Sequence, residues 1–420
     1  MQRRNFIKLM GITTAMAVLP GAVSAAAVAS YEGPLWIMIH AAGGWDPTSL
    51  CDPKGALADE LDPEGNILDG ANPMNRYAAT AIPKAGNIAY APNEGFDTFF
   101  TKYHEELLVI NGINPETNSH DGGTRSTWSG RLAEGYPSLG AVIAGVHAPA
   151  SAMSYISEGG YDFTDGLVAP TRVGASDTLL ELATPNLMYT DNDGNKHYYN
   201  TPSAFSKIEE ARLKRLQSKG FKQPLPHIKN AFAQLERSST GANELKQLNA
   251  QLDTLSEPLE SLNGGGNLYE DARIAMAAYR AGLTISVSLS HGGFDTHNNH
   301  DGSHIPRLRG LLEGIDLIKQ EATRQGIADK VIVVVGSEFG RTPRYNSNNG
   351  KDHWQVTSMM MMGPGITGNR VLGKTSHEHS IEEGFTPSQV HKALRKLAGV
   401  DTSDTVKQYY PLNGEDSITL

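Results

Sequence analysis

The sequence predicts an α/β fold, a large and mostly parallel sheet sandwiched by helices, on three observations. First, Leu35–Ile39, Leu283–Leu289 and Val331–Val335 are short apolar runs, the pattern of strands covered on both faces. Second, a helical stripe of Ile305, Leu308, Leu312, Ile315 and Ile318 joins the second run to the third. Strand, helix, strand at this spacing is a βαβ unit, which requires parallel strands. Third, each run is followed within two residues by glycine or histidine and then delivers ligand-type side chains. HAAGGWD brings Asp46, HGGFDTH brings Asp295 and His297, and GSEFGRTP brings Glu338, with His353 close behind in GKDHW. Ligands of parallel α/β sheets sit at the carboxyl ends of strands. Oxygen and imidazole donors arriving there from separate strands are what a divalent metal ion needs.

In chain order, residues 52–100 are rich in Pro, Gly, Asn and Asp and read as loop, and Leu107–Ile110 reads as a further strand. The run INPETNSHDGGTRSTWSGR then opens onto a helix N-terminus, where free amides meet anions. Residues 150–200 show no clear periodicity. From about 200 to 265 the pattern is helical and reads as an insertion or cap. Its stripe of Leu245, Leu248, Leu252, Leu255 and Leu259 suits a helix laid on its own core, or a dimer face in a homo-oligomer. Ala272–Ala281 and Ser388–Ala398 are further helices, and the Met-rich run after 357 is a last strand.

At 420 residues, 39% hydrophobic and 20% charged, the chain can bury a large core. The net charge of −10 disfavours nucleic acid as a partner. The N-terminus, MQRRNFIK followed by an apolar stretch from Leu9 to Val23 and alanine-rich cleavage sites, is a twin-arginine export signal over residues 1–29. That signal implies delivery to the periplasm or beyond, already folded, and a mature domain over 30–420. The apolar stretch is short of the roughly 20 residues a span needs, and no later segment spans a membrane. Cys51 is the only cysteine, so no intramolecular disulfide is expected.

Asp295-Thr296-His297 sets two ligands on one side of an extended segment, and Asp352 is placed to orient His353. Glu338 follows a strand that gives it no bland partner except an ion pair with Arg341 or Arg344. His291, His300, His377 and His379 are expected in solvated or structural roles.

Taken together, GGWD, GGFDTH, SEFGRTP and DHW resemble the exported bacterial proteins grouped as domain-of-unknown-function 1501, which look like distant members of the alkaline phosphatase and sulfatase superfamily. The resemblance runs from Leu35 onward and is weakest between 150 and 270. It implies one or two divalent metal ions (Zn, Mn, Ca or Mg) at the strand ends. Asp46 resembles the aspartate whose metal holds the nucleophile, and Asp295, His297 and His353 resemble the ligands of the other metal. Glu338 stands where the superfamily has Asp followed by His, but here Phe339 follows. NSHDGGTRSTWSGR is similar to the serine-nucleophile run of cofactor-independent phosphoglycerate mutases, with Gly123 in place of its His. This implies Ser119 as nucleophile and Arg125 or Arg131 as clamps on the anionic ester. Cys51-Asp52-Pro53-Lys54-Gly55 nearly spells the formylglycine motif of sulfatases, but Gly55 replaces the required Arg, and the match reads as coincidence.

Two functions follow. One is an exported metal-dependent hydrolase of phosphate or sulfate esters, acting on a small anionic ester or a polysaccharide through a metal-activated serine. The other is a non-catalytic relative serving as an envelope binding or assembly protein. The address is testable alone: replacing Arg3 and Arg4 with Lys should leave precursor in the cytoplasm on cell fractionation, and unchanged periplasmic delivery contradicts the twin-arginine reading.

Overall fold

The computed structural model describes residues 31–149, 151, 153–172, 185–191, 195–240, 247–248 and 250–420. The expected export signal and Leu245 lie outside them. Eight strands form one sheet: β1 (Leu35–Ala42), β2 (Leu108–Ile113), β3 (Tyr155–Glu158), β4 (Pro170–Thr171), β5 (Ser286–Gly292), β6 (Val331–Gly336), β7 (Thr357–Met362) and β8 (Arg370–Leu372). Their order is β8-β2-β7-β6-β1-β5-β3-β4. β7 alone runs against its neighbours β6 and β2, and the other pairings are parallel.

Both faces of the sheet are dry, which is why its strands read as continuous apolar runs. Along β1 the side chains alternate between two cores. Leu35, Ile37 and Ile39 join one core with Val333, Val335, Val287 and Leu289. That face is covered by α1 (Phe96–Tyr103), α6 (Gly266–Arg280) and α7 (His300–Arg324), through Phe96, Phe99, Leu268, Ala272, Leu308 and Leu311. Trp36 and Met38 join the other core with Ile332, Val334 and Tyr155. Helices α3 (Leu139–His147) and α8 (Pro387–Leu397) cover this second face. Each such buried side chain is worth about 1.5–3 kcal/mol, so the central strands carry the stability of the fold.

The strand–helix–strand unit expected from the sequence is present, with its strands separated. β5 and β6 flank β1, each in parallel register, and α7 crosses between them. Their carboxyl ends lie side by side, so the loops carrying Asp46, Asp295 and Glu338 meet. The segment after β2 enters α2 (His120–Ser129) at the same edge.

Residues 202–240 form two helices, α4 (Pro202–Phe221) and α5 (Pro226–Thr240), packed on each other. No described residue of α4 is buried. In the leucine stripe, Leu248 is fully buried in the first core, and Leu252 and Leu255 pack against that core. The helical backbone ends at about Leu252, so Leu255 and Leu259 follow in irregular chain ahead of and behind Pro258. The stripe therefore faces the chain's own core. Among the described residues, no helix is long and apolar enough to cross a membrane.

Candidate metal centre

Close backbone approach brings the loops together. Gly43 has φ +118°, and a Cβ there would lie 2.4 Å from the Asp295 amide nitrogen. Gly123 of α2 packs on the Glu338 backbone, where a Cβ would meet the carbonyl oxygen at 2.4 Å. This explains why glycine stands where the mutase-like pattern has histidine. The imidazole comes instead from His120, almost one turn earlier on the same helix face.

Three histidines converge on Asp295. His120 Nδ1 lies 2.9 Å from Glu338 Oε1, and His297 Nδ1 lies 2.7 Å from Asp352 Oδ1. His353 Nδ1 lies 2.8 Å from the Asn118 carbonyl oxygen. Carboxylate and carbonyl oxygens only accept, so each Nδ1 carries the proton and donates it. In a neutral ring Nε2 is then a bare lone pair. All three Nε2 atoms turn toward Asp295, at 3.5 Å from Oδ2 for His120 and at 3.0 and 3.2 Å from Oδ1 for His297 and His353. The Nε2 atoms of His297 and His353 are 3.2 Å apart.

Lone pairs and a carboxylate facing one another at such distances repel unless a proton or a metal cation sits among them. The edge of a tetrahedron with zinc–ligand bonds of 2.0–2.1 Å is about 3.3 Å, close to these separations. Ligand atoms of His120, Asp295 and His353 all lie within 4.8 Å of one another. Imidazoles whose far nitrogen is fixed by an acceptor are the usual arrangement around a bound metal ion. The residues present fit such an ion. Asp295, His297 and Asp352 are about half exposed, so the cluster is open to a ligand.

The surroundings set the charges. Partial burial would raise the Asp295 carboxyl, but the Arg341 guanidinium that donates to it and the His353 imidazole beside it hold it at about 2. Arg341 is fully buried, and its Nη2 donates to Asp295 Oδ1 at 2.8 Å. Glu338 is buried and would be raised by burial, but His40, His120 and the Gly43 amide hold it below the usual carboxylate range. Its partners are thus two imidazoles, the Gly43 amide and the Ser337 hydroxyl and not an arginine: Arg341 serves Asp295, and Arg344 serves Glu60 and Glu378. Asp352 likewise orients His297, while His353 is held by a backbone carbonyl. Phe339 is fully buried and forms a wall under His353 and His120, with ring centroids 4.2 and 5.0 Å away. Behind Glu338, Trp128 Nε1 donates to His40 Nδ1 at 3.0 Å, leaving His40 Nε2 3.5 Å from Glu338 Oε2.

Asp46 occupies a different, buried network. Its Oδ1 accepts from the Thr48 amide and hydroxyl at 2.9 and 2.7 Å. Its Oδ2 accepts from Lys351 Nζ at 2.7 Å and lies 3.1 Å from His300 Nε2. The neighbouring histidines close a ring whose proton directions are determined. The Asp46 amide donates to His304 Nε2 at 2.8 Å, so His304 Nδ1 carries a proton and donates to Thr296 Oγ1 at 2.9 Å. The Thr296 hydroxyl in turn donates to His300 Nδ1 at 2.9 Å, and His300 Nε2–H returns to Asp46. Burial lowers both histidines, His304 strongly. It would raise Asp46, but Lys351 and His300 hold that carboxyl well below its usual value. Expected as a metal ligand, Asp46 instead has its oxygens taken up by protein donors.

The remaining expected residues are placed as follows. Ser119 is the N-cap of α2, exposed and without a capping bond, between Asn118, which holds His353, and His120. It forms no hydrogen bond with Asp46 or Glu338. Arg125 and Arg131 are turned away from the cluster. Arg125 Nε donates to the Leu132 carbonyl at 2.8 Å, and Arg131 stacks over Tyr136. The reason is helical phase, because His120, Gly123 and Thr127 line the face toward Glu338 and Ser337, and Arg125 lies about 200° beyond Gly123. Cys51 is buried in the core, and burial pushes its thiol up. His120, His304 and Lys351 carried no role in the sequence reading. His120 lies in a run already singled out, and Lys351 directly precedes Asp352.

A family profile described as "Protein of unknown function (DUF1501)" matches residues 188–416. Comparison with curated proteins finds no match. Among solved structures, similarity extends to a TAB5 alkaline phosphatase variant with Mg bound in its M3 site, at TM-score 0.37 and 10% identity, covering 87% of this chain and 98% of that one. It extends also to the PsFucS1 sulfatase from Pseudoalteromonas sp., at TM-score 0.35 and 9% identity, covering 92% and 73%. A third is Ps i-CgsB with k-i-k-neocarrahexaose, at 0.37 and 10%, covering 92% and 75%. Superpositions this loose locate neither a substrate nor a ligand in this chain.

The buried network has a pH signature. Asp46, depressed in the fold, contributes stability that is present above about pH 4 and lost as pH falls below it. His300 and His304, held neutral, lose stability from about pH 6.5 downward. Urea unfolding in chelator should therefore weaken in two stages between pH 7 and pH 3, and a flat profile contradicts the network. At pH 7, Lys351→Met should cost about 3–5 kcal/mol by stranding a buried carboxylate.

Proposed function

The chain belongs to the DUF1501 family, and we propose that it is an exported metal-dependent hydrolase of phosphate or sulfate esters. The observation that carries this reading is the grouping of His120, His353 and Asp295 within ligand reach of one another, with His297 beside Asp295 and His353 and each ring fixed by an acceptor on Nδ1. A divalent ion bound there supplies Lewis-acid polarisation and screens the charge of an anionic ester.

The chain's own residues supply the rest. His120, His297, His353 and Asp295 hold the ion, and Arg341 and Asp352 fix two of them in place. The first-turn amides of α2 have no intrahelical acceptor and offer donors to ester oxygens next to the cluster. Ser119, uncommitted at the same helix end, is the proposed nucleophile: its hydroxyl proton passes to a base, Oγ bonds to phosphorus or sulfur, the alcohol departs, and water later releases the acid. Glu338, buried against His120 and His40, holds the negative charge that keeps the His120 Nδ1–H in place.

A second reading, a non-catalytic envelope binding or assembly protein with the same ion, is favoured by one observation, the closed hydrogen bonding of Asp46. Turnover separates the two. Purified protein should carry a divalent ion, lost in His353→Ala and bound about 10–100-fold more weakly in Asp352→Ala. Ser119→Ala should abolish hydrolysis of aryl phosphate or sulfate esters while the ion and the fold remain. Ion binding without turnover by the wild type favours the binding role, and full turnover by Ser119→Ala excludes this serine.

A further inference from the structure

The resemblance to two-metal hydrolases implies a second ion at Asp46, and the donors there do not fit one. Lys351 Nζ is fully buried, 2.7 Å from Asp46 Oδ2 and 3.2 Å from both Thr48 Oγ1 and Asn75 Oδ1. Its three N–H groups thus have three acceptors, the complement an ammonium can satisfy. Asp46 receives two donors on Oδ1 and, on Oδ2, Lys351 and His300, with the Ser49 hydroxyl also at 2.9 Å. The lone pair of His304 Nε2 is used by the Asp46 amide. A divalent ion entering here would have to expel the ammonium and displace or reverse the His300 Nε2–H that faces Asp46 Oδ2.

We propose that the ammonium of Lys351 is the resident cation of the Asp46 site, so that the centre takes one divalent ion, held by the histidine cluster. This rests on the reading of that cluster as an ion site. An ammonium supplies a positive charge and donors, but has no open coordination position for water or a serine oxygen. The centre therefore lacks the two-ion clamp on attacking and leaving oxygens. The departing oxygen must take its proton from a protein group or from water. Asp46 and Lys351 are positioning residues: through Thr296 and through the chain from Lys351 to His353, they set where Asp295, His297 and His353 stand.

The test is zinc stoichiometry, by elemental analysis of the mature chain saturated with Zn²⁺ and freed of excess. Wild type should hold one ion per chain and His353→Ala none. Asp46→Asn/Lys351→Met, which removes both buried charges together and loosens the loops beneath the cluster, should hold no more than one. Two ions in the wild type overturn the proposal while sparing the cluster. So does one ion that survives His353→Ala but is lost in the folded double variant, since that ion sits at Asp46. No zinc in the wild type overturns the cluster reading, and the proposal with it. Should the double variant not fold, the wild-type and His353→Ala values decide alone.

Discussion

The geometry of this protein's candidate site depends on a buried ion pair, Asp46 with Lys351, from which solvent is excluded on both sides. Removing two charges from water is costly, and attraction offsets the cost only when the remaining donors and acceptors are satisfied. Here they are. Five chain segments meet on the pair: the turn after β1, the loop carrying Asn75, the Thr296 loop after β5, the start of α7 through His300 and His304, and the segment from Lys351 to His353. Moving any one of them would leave a polar group unpaired in a dry interior, so the loops that present Asp295, His297 and His353 are held from beneath.

Above this layer the electrostatics change character. The groups on Asp46 answer one another's charges within the protein, whereas the exposed histidines present lone pairs to a carboxylate. Arg341 stands between the two layers, with its guanidinium on Asp295 and on the carbonyls of Gly43, Gly44 and Lys351. One layer is complete within the protein, and the other leaves imidazoles and a carboxylate open to solvent. The sheet accounts for the location, since β1, β5 and β6 end together and the elements that follow them close over the same edge.

Much of this was legible in the sequence because burial writes itself as apolar runs. The central strands, the parallel unit around α7 and the Asp-x-His after two glycines could be read directly. What escaped was what tertiary proximity alone decides. His120 sat in plain view beside Ser119, but its partner Glu338 is 218 residues away. Lys351 drew no role, because lysine is almost never fully buried unless paired and its partner is 305 residues away. Arg125 and Arg131 matched a motif by spacing, while the phase of α2 turns them elsewhere. Asp46 was singled out as a metal-ligand carboxylate at a strand end. It is paired with the ammonium of Lys351, which periodicity cannot show.

The central claim is that divalent ions enter at the histidines and not at Asp46. Anomalous diffraction at the zinc absorption edge, from crystals equilibrated with Zn²⁺, measures this directly. The account predicts one peak, about 2.0–2.2 Å from Nε2 atoms of His120, His297 and His353 and an oxygen of Asp295, with Lys351 still bonded to Asp46. A peak beside Asp46 with Lys351 displaced, or no peak at the histidines, would contradict it.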